Sequence, residues 1–196
     1  MAAFPTIAQL EAALAARPAP AHAEVFAAVA LCLRERDGGV ELVLARRAVR
    51  AGDPWSGQIG LPGGRVEPGD RSPLETARRE TLEEVGFDPL REGRLLGVLE
   101  PVPGRHDDVR VAPFVVAIET DVEPSPSAEL PSVWWARTHA LSERRVRVRE
   151  VPFPVPAFVG SASDGRTAVV WGMTHRLLVA ARGLGLSGDA EPLSDP

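Results

Sequence analysis

Gly60-Leu61-Pro62-Gly63-Gly64-Arg65-Val66-Glu67-Pro68-Gly69-Asp70-Arg71-Ser72-Pro73-Leu74-Glu75-Thr76-Ala77-Arg78-Arg79-Glu80-Thr81-Leu82-Glu83-Glu84-Val85-Gly86-Phe87 reads as a glycine turn, an acidic loop and then a short helix. Ser72 suits an N-cap, Pro73 suits the first helical position, and Glu75 stands three residues after Ser72 as in a capping box. Gly86 tolerates the left-handed conformation of a helix end, and Pro89 forbids continuation. Helical pitch then puts Leu74, Ala77, Thr81 and Val85 on one side and Thr76, Glu80, Glu83 and Glu84 on the other. Like charges at this spacing repel, and the C-terminal half of a helix is the end where the dipole disfavours anions. Acid-rich helix faces are commonly just solvated. Here, however, the acids follow a turn, Pro62-Gly63-Gly64, whose backbone can approach a ligand closely. Three carboxylates converging beside such a turn are what a hard divalent cation, Mg²⁺ or Mn²⁺, requires.

The arrangement resembles the box of the Nudix hydrolases: Gly, five residues, Glu, seven residues, Arg-Glu, an apolar residue, any residue, Glu-Glu, any residue, Gly, apolar. Gly64, Arg79-Glu80, Glu83-Glu84 and Gly86-Phe87 match. Asp70 stands in place of the first Glu, eight residues rather than seven separate it from Arg79, and Thr81 replaces an apolar residue. Asp70, Ser72, Thr76-Ala77 and Arg79-Glu80-Thr81 are similar to the boxes of the branch that contains coenzyme A pyrophosphatases. The resemblance implies an α/β fold in which a mixed β-sheet is sandwiched between helices (α/β/α). It also implies water attack on a phosphorus of a nucleoside diphosphate derivative, such as coenzyme A, ADP-ribose or a dinucleotide. Glu80, Glu83, Glu84 and the Gly64 carbonyl would hold the metal, Arg79 would orient Glu80, and Asp70 would pair with Arg79 or support the metal shell. The proton acceptor stays open between a box glutamate and the loop acids Asp107, Asp108, Glu119 and Glu129. Two other readings stay open as well: a housecleaning pyrophosphatase for nucleoside triphosphates, and a non-catalytic nucleotide-binding module.

Upstream of the box, residues 25–33 and 41–45 read as strands of a hairpin turning at Gly38-Gly39, too apolar for a solvent face, so the sheet should be covered on both sides. Arg46, Arg47 and Arg50 follow. A basic loop can simply be solvated, but this one runs into the glycine turn, where arginines suit phosphate oxygens. Downstream, residues 94–102 and 110–118 read as strands around a surface turn with Arg105, His106, Asp107 and Asp108. Residues 119–129 read as a loop, and 133–136 as a strand with one tryptophan in the core and an adenine platform the less favoured use of the other. Residues 144–151 alternate as an edge strand. Residues 153–160 read as an irregular stretch over the pocket. A strand at 167–170 leads into a last helix ending near Arg182, in which His175 packs.

With 196 residues, 44% of them hydrophobic and 25% charged, the chain is an ordinary globular protein with one domain at 24–182. A helical arm and linker occupy 1–23, and a polar tail 183–196. The arm also leaves a homodimer contact open. A net charge of −5 argues against a nucleic-acid-coating protein, and no apolar run approaches the roughly 18 residues of a membrane span. The single Cys32 and the lack of a positive segment before an apolar core point to the cytoplasm, and the Nudix resemblance implies a nucleotide-type small molecule as partner.

Overall fold

The computed structural model describes residues 3–15, 25–53, 55–103 and 110–184. Strands β1 (Ala27–Arg36) and β2 (Gly39–Arg46) form an antiparallel hairpin. Arg36 pairs with Gly39, so the turn is Asp37-Gly38, both at positive φ (50° and 74°), as the twist of a tight hairpin asks. The turn therefore falls one residue earlier than expected, because Gly39 already belongs to the ladder.

Beyond Leu42 the two strands part and a wedge enters between them. Strand β3 (Ile59–Gly60) pairs with the end of β2, and β4 (Gly63–Arg65) pairs with the start of β1. The Pro62 carbonyl accepts from the Ala30 N–H at 2.9 Å, so the glycine turn is stitched to the central strand. The box helix, α2 (Pro73–Val85), follows it. Strand β1 also runs parallel to β7 (Arg110–Ile118). Around β7 stand β5 (Gly93–Val98) and β6 (Val102–Pro103), and β8 (Ser132–Arg137) adds to β2. One parallel pair among antiparallel ones makes the sheet mixed.

Side chains alternate across β1, and both faces are buried. On one face Ala30 and Cys32 pack with Val43, Phe114 and the Ala77 and Val85 side of α2. On the other, Leu31 and Leu33 pack with α1 (Ile7–Leu14), α3 (Gly172–Leu184) and a second sheet. The second sheet has the order β11 (Thr167–Trp171), β10 (Val155–Ser161), β9 (Ser142–Val146). The expected α/β class with a mixed sheet between helices stands, enlarged by this small sheet. Among the described residues no helix is long and apolar enough to cross a membrane.

Three details depart from expectation. The alternating stretch at 144–151 is strand only as far as Val146. The stretch expected to be irregular, 153–160, contains the central strand β10. Its Ala157, Phe158 and Val159 are buried, and Pro156 faces Arg145 in the ladder. The strand expected at 94–102 breaks after Val98 and resumes only at Val102. Helix α1 ends at Leu14, and its cap is a reciprocal box in which the Gln9 N–H donates to the Thr6 hydroxyl and the Thr6 N–H to the Gln9 side chain. The linker at Pro18 and Pro20, the turn residues Arg105, His106, Asp107 and Asp108, and the tail beyond 184 lie outside the described residues.

Candidate active site

Helix α2 starts and stops where the residues dictate. Ser72 Oγ accepts from the Glu75 N–H at 3.2 Å, and Gly86 closes the helix at φ 82°. Only half of the capping box forms, because the Glu75 carboxylate turns to Arg78 (3.0 Å) and Arg71 (3.7 Å) instead. The two-faced helix also needs correcting: Thr76 and Glu84 are buried along with Ala77, Thr81 and Val85, whereas Leu82 is exposed. Thr81 tolerates an apolar position because its hydroxyl donates back to the Ala77 carbonyl at 2.6 Å.

Asp70 and Arg79 are the centre of the polar structure. Arg79 grips Asp70 through Nε (3.0 Å) and Nη2 (3.1 Å), the two-pronged fit of a guanidinium to a carboxylate. Asp70 is 7% exposed and also accepts from the Thr76 hydroxyl (2.8 Å) and the Glu67 N–H (2.9 Å). The Arg79 guanidinium foremost, and then these donors, hold its carboxyl well below the usual carboxylate range. With one edge anchored, Arg79 turns Nη1 toward Glu80 (2.9 Å) and Glu83 (3.3 Å) and Nη2 toward the Arg65 carbonyl (3.3 Å).

The glycine turn makes room for the acids. A Cβ on Gly64 would stand 2.4 Å from the Glu80 carboxylate carbon, and one on Gly63, at φ 146°, would stand 2.3 Å from the Ala28 carbonyl oxygen. The Gly63 N–H donates to Glu84 at 2.8 Å. Glu84 is 5% exposed, and burial foremost pushes its carboxyl up to about 7. The charges of Glu80 and Glu129 add to that rise, and the Gly63 N–H and Arg47 oppose it. Burial raises Glu80 as well, against the pull of Arg79.

Glu80 and Glu84 therefore meet at the glycine turn, while Glu83 has a side chain 58% exposed. As placed, no three histidine, cysteine or acid side chains among the described residues surround one point. Even so, the chemistry fits a hard cation. Glu80, Glu83, Glu84 and the Gly64 carbonyl offer only oxygen donors, and two of these acids carry a burial cost that a cation would offset.

The three arginines expected at phosphate separate. Arg47 lies near enough to act on Glu84. Its Nη2 stands 3.5 Å from Asp53, and its buried Nε has no partner. Arg50 pairs with Glu129 at 3.3 Å and reaches the Ala128 carbonyl. Arg46 turns the other way, to Asp164 (3.3 Å) and the Thr167 carbonyl (3.2 Å). Of the loop acids, Glu119 pairs with Arg94, Asp107 and Asp108 lie outside the described residues, and Glu129 acts on Glu84. The tryptophan pair offers no platform. Trp134 is buried, and Trp135 has the Arg34 guanidinium 4.2 Å from its ring, Phe87 stacked against it at 6.4 Å, and Nε1 on the Val122 carbonyl. His175 packs as expected, on Glu143 (3.0 Å) and Phe158. Sequence reasoning missed Thr76 as a support for Asp70, although its place six residues after Asp70 and one turn into the helix was a usable signal.

Residues 25–154, which contain the glycine turn, Asp70 and the whole of α2, match the family model of the NUDIX domain. The chain belongs to the Nudix family. Nudix hydrolases generally use divalent metal ions. The chain is 34% identical over 165 residues to "Nudix hydrolase 22, chloroplastic" of Arabidopsis thaliana, covering 79% of this chain and 53% of the relative. To "Nudix hydrolase 15, mitochondrial" of the same plant it is 32% identical over 164 residues, 79% of this chain and 56% of that one. To "Mitochondrial coenzyme A diphosphatase NUDT8" of Mus musculus it is 38% identical over 89 residues, 45% of this chain and 40% of that one. The chain thus spans about half the length of the plant relatives it matches.

Proposed function

We propose that this Nudix chain hydrolyses the pyrophosphate bond of a nucleoside diphosphate derivative with Mg²⁺ or Mn²⁺, coenzyme A being the first substrate to test. The observation that carries this reading is the pair of buried Asp70 with Arg79, laid against Glu80 and Glu83, beside a Glu84 carboxylate held on the Gly63 N–H. A structure evolved for stability alone has no use for acids placed where burial and mutual repulsion oppose their charge. The similarity to the mouse coenzyme A diphosphatase, over 45% of this chain, supports the substrate class. The two plant relatives are named for organelles, and we keep the cytoplasm as the proposed compartment on the strength of the lone, buried Cys32.

Glu80, Glu83, Glu84 and the Gly64 carbonyl would hold the ion. When bound, it supplies positive charge to the phosphate oxygens and lowers the pKa of water. Asp70 fixes the fork of Arg79, and Arg79 fixes Glu80. Arg47 and Arg50 present cations to the phosphates from the loop beside Glu84; Arg46 sits apart. In the reaction a bond forms from water oxygen to one phosphorus, the bridging P–O bond breaks, and the water proton passes to a carboxylate. Glu129, held by Arg50 and close enough to act on Glu84, is the acceptor we assign. Product analysis with coenzyme A, ADP-ribose, a dinucleotide and nucleoside triphosphates, with Mg²⁺, tests the reading. Cleavage at a pyrophosphate bond of at least one is expected, together with its loss in Glu84→Gln and Glu83→Gln. No cleavage of any of them would contradict it.

A further inference from the structure

The described residues of the loop between β2 and β3, 47–53 and 55–58, are tightly stitched. The Arg47 N–H donates to the Gln58 carbonyl (2.9 Å) and the Gln58 N–H to the Trp55 carbonyl (3.1 Å). Asp53 takes the Trp55 N–H on its side chain (2.9 Å) and the Ser56 N–H on its carbonyl (3.1 Å), and the Arg50 N–H donates to the Ser56 hydroxyl (2.8 Å). The base of the loop lies against the acid cluster: it runs through β3 into Gly63, whose N–H donates to Glu84 (2.8 Å), and the Ala48 N–H donates to the Glu129 carbonyl (2.8 Å). On this fixed loop Trp55 is 45% exposed and Val49 84% exposed. A single exposed apolar side chain needs no explanation. Two of them, held on a hydrogen-bonded loop that also carries two arginines beside a cluster of acids, do.

The exposed phenylalanine rings among the described residues are placed differently. Phe26 has the Arg65 guanidinium 5.2 Å from its ring centre, and Phe153 lies in the connection between β9 and β10. A nucleoside diphosphate derivative carries a planar base a few bonds from its charged phosphates. Base stacking on an aromatic ring tolerates any base, because every base has a π-face. We infer that Trp55 is the platform on which the base of the substrate stacks, while Arg47 and Arg50 on the same loop face its phosphates. This rests on the nucleotide-hydrolase reading and goes further, by requiring a nucleoside end on the substrate and naming the side chain that reads it.

Calorimetric titration of AMP and of ribose 5-phosphate into the full chain with Mg²⁺ tests the inference without turnover. The wild-type chain is expected to bind AMP about tenfold or more tightly than ribose 5-phosphate. Trp55→Ala should bring the two affinities together by weakening AMP alone, and Trp55→Phe should keep most of the preference. Trp55→Ala that keeps the AMP preference, or that weakens both ligands equally, overturns the inference, as does a wild-type chain with no preference for AMP. In turnover, Trp55→Ala should raise KM about tenfold on a nucleotide substrate, with kcat within twofold. A chain that hydrolyses nothing but shows the Trp55-dependent AMP preference would overturn the proposed hydrolase and support the platform.

Discussion

At the scale of single residues, the site depends on Asp70. Pairing with Arg79 was one of the two roles the box resemblance implied for it, but its burial was not legible, because helical pitch gives an angle and not a depth. The same blindness put Thr76 on the acid face of the helix when it is buried on Asp70, and treated Glu83 and Glu84 alike when one is exposed and the other buried. Asp70→Asn should cost about 2 kcal/mol in denaturant unfolding at neutral pH, since a charged hydrogen-bond acceptor for Arg79 is lost. It should also lower kcat, because Arg79 no longer has a fixed edge. Asp70 and Asp88, the latter paired with Arg78 at 2.6 Å, both titrate below the unfolded value of about 3.9. Each therefore contributes stability that is fully present above about pH 4 and is lost as pH falls through the folded value. Unfolding free energies measured from pH 6 to pH 2.5 should fall below about pH 4, and less steeply in Asp70→Asn. A parallel fall in the two proteins would show that Asp70 is not an acid-sensitive tie.

At the scale of elements, the ends of α2 and the glycine turn were written plainly in the chain. Ser72, Pro73 and Gly86 have strong positional preferences, and the backbone follows them. Strand β10 was not legible, because Pro152, Pro154 and Pro156 are signals of irregularity that pairing with β9 and β11 overrides. The two glycines of the turn make different predictions. Gly63→Ala meets backbone at a φ that alanine rarely adopts, so it should destabilise by about 2 kcal/mol or more and lower the melting temperature. Gly64→Ala meets the end of a flexible glutamate, so thermal unfolding should move little while turnover falls by tenfold or more as Glu80 is displaced. Equal stability losses in the two variants would mean that the close approach of Gly64 to Glu80 has no functional purpose.

At the scale of the molecule, the N-terminal arm is part of the core. Leu10 and Leu14 are fully buried against Leu31, Leu33 and α3, the Ile7 N–H donates to Glu35, and Glu11 pairs with Arg94. Its apolar periodicity was visible, but what it covers was not, since nothing local reveals which distant surface needs covering. Leu14→Ala should cost about 3 kcal/mol in unfolding free energy and leave KM unchanged, because α1 lies on the sheet face opposite α2. A shift in KM at equal folded fraction would place the arm in the site instead. The whole account comes down to whether the acids on α2 handle a divalent ion for hydrolysis. The most direct measurement is initial-rate hydrolysis of coenzyme A and ADP-ribose over a magnesium titration, for the wild type and Glu84→Gln, with folding checked by circular dichroism. Magnesium-dependent cleavage that falls at least a hundredfold in a folded Glu84→Gln is the predicted result. Cleavage that is indifferent to magnesium, or undiminished in Glu84→Gln, would contradict it.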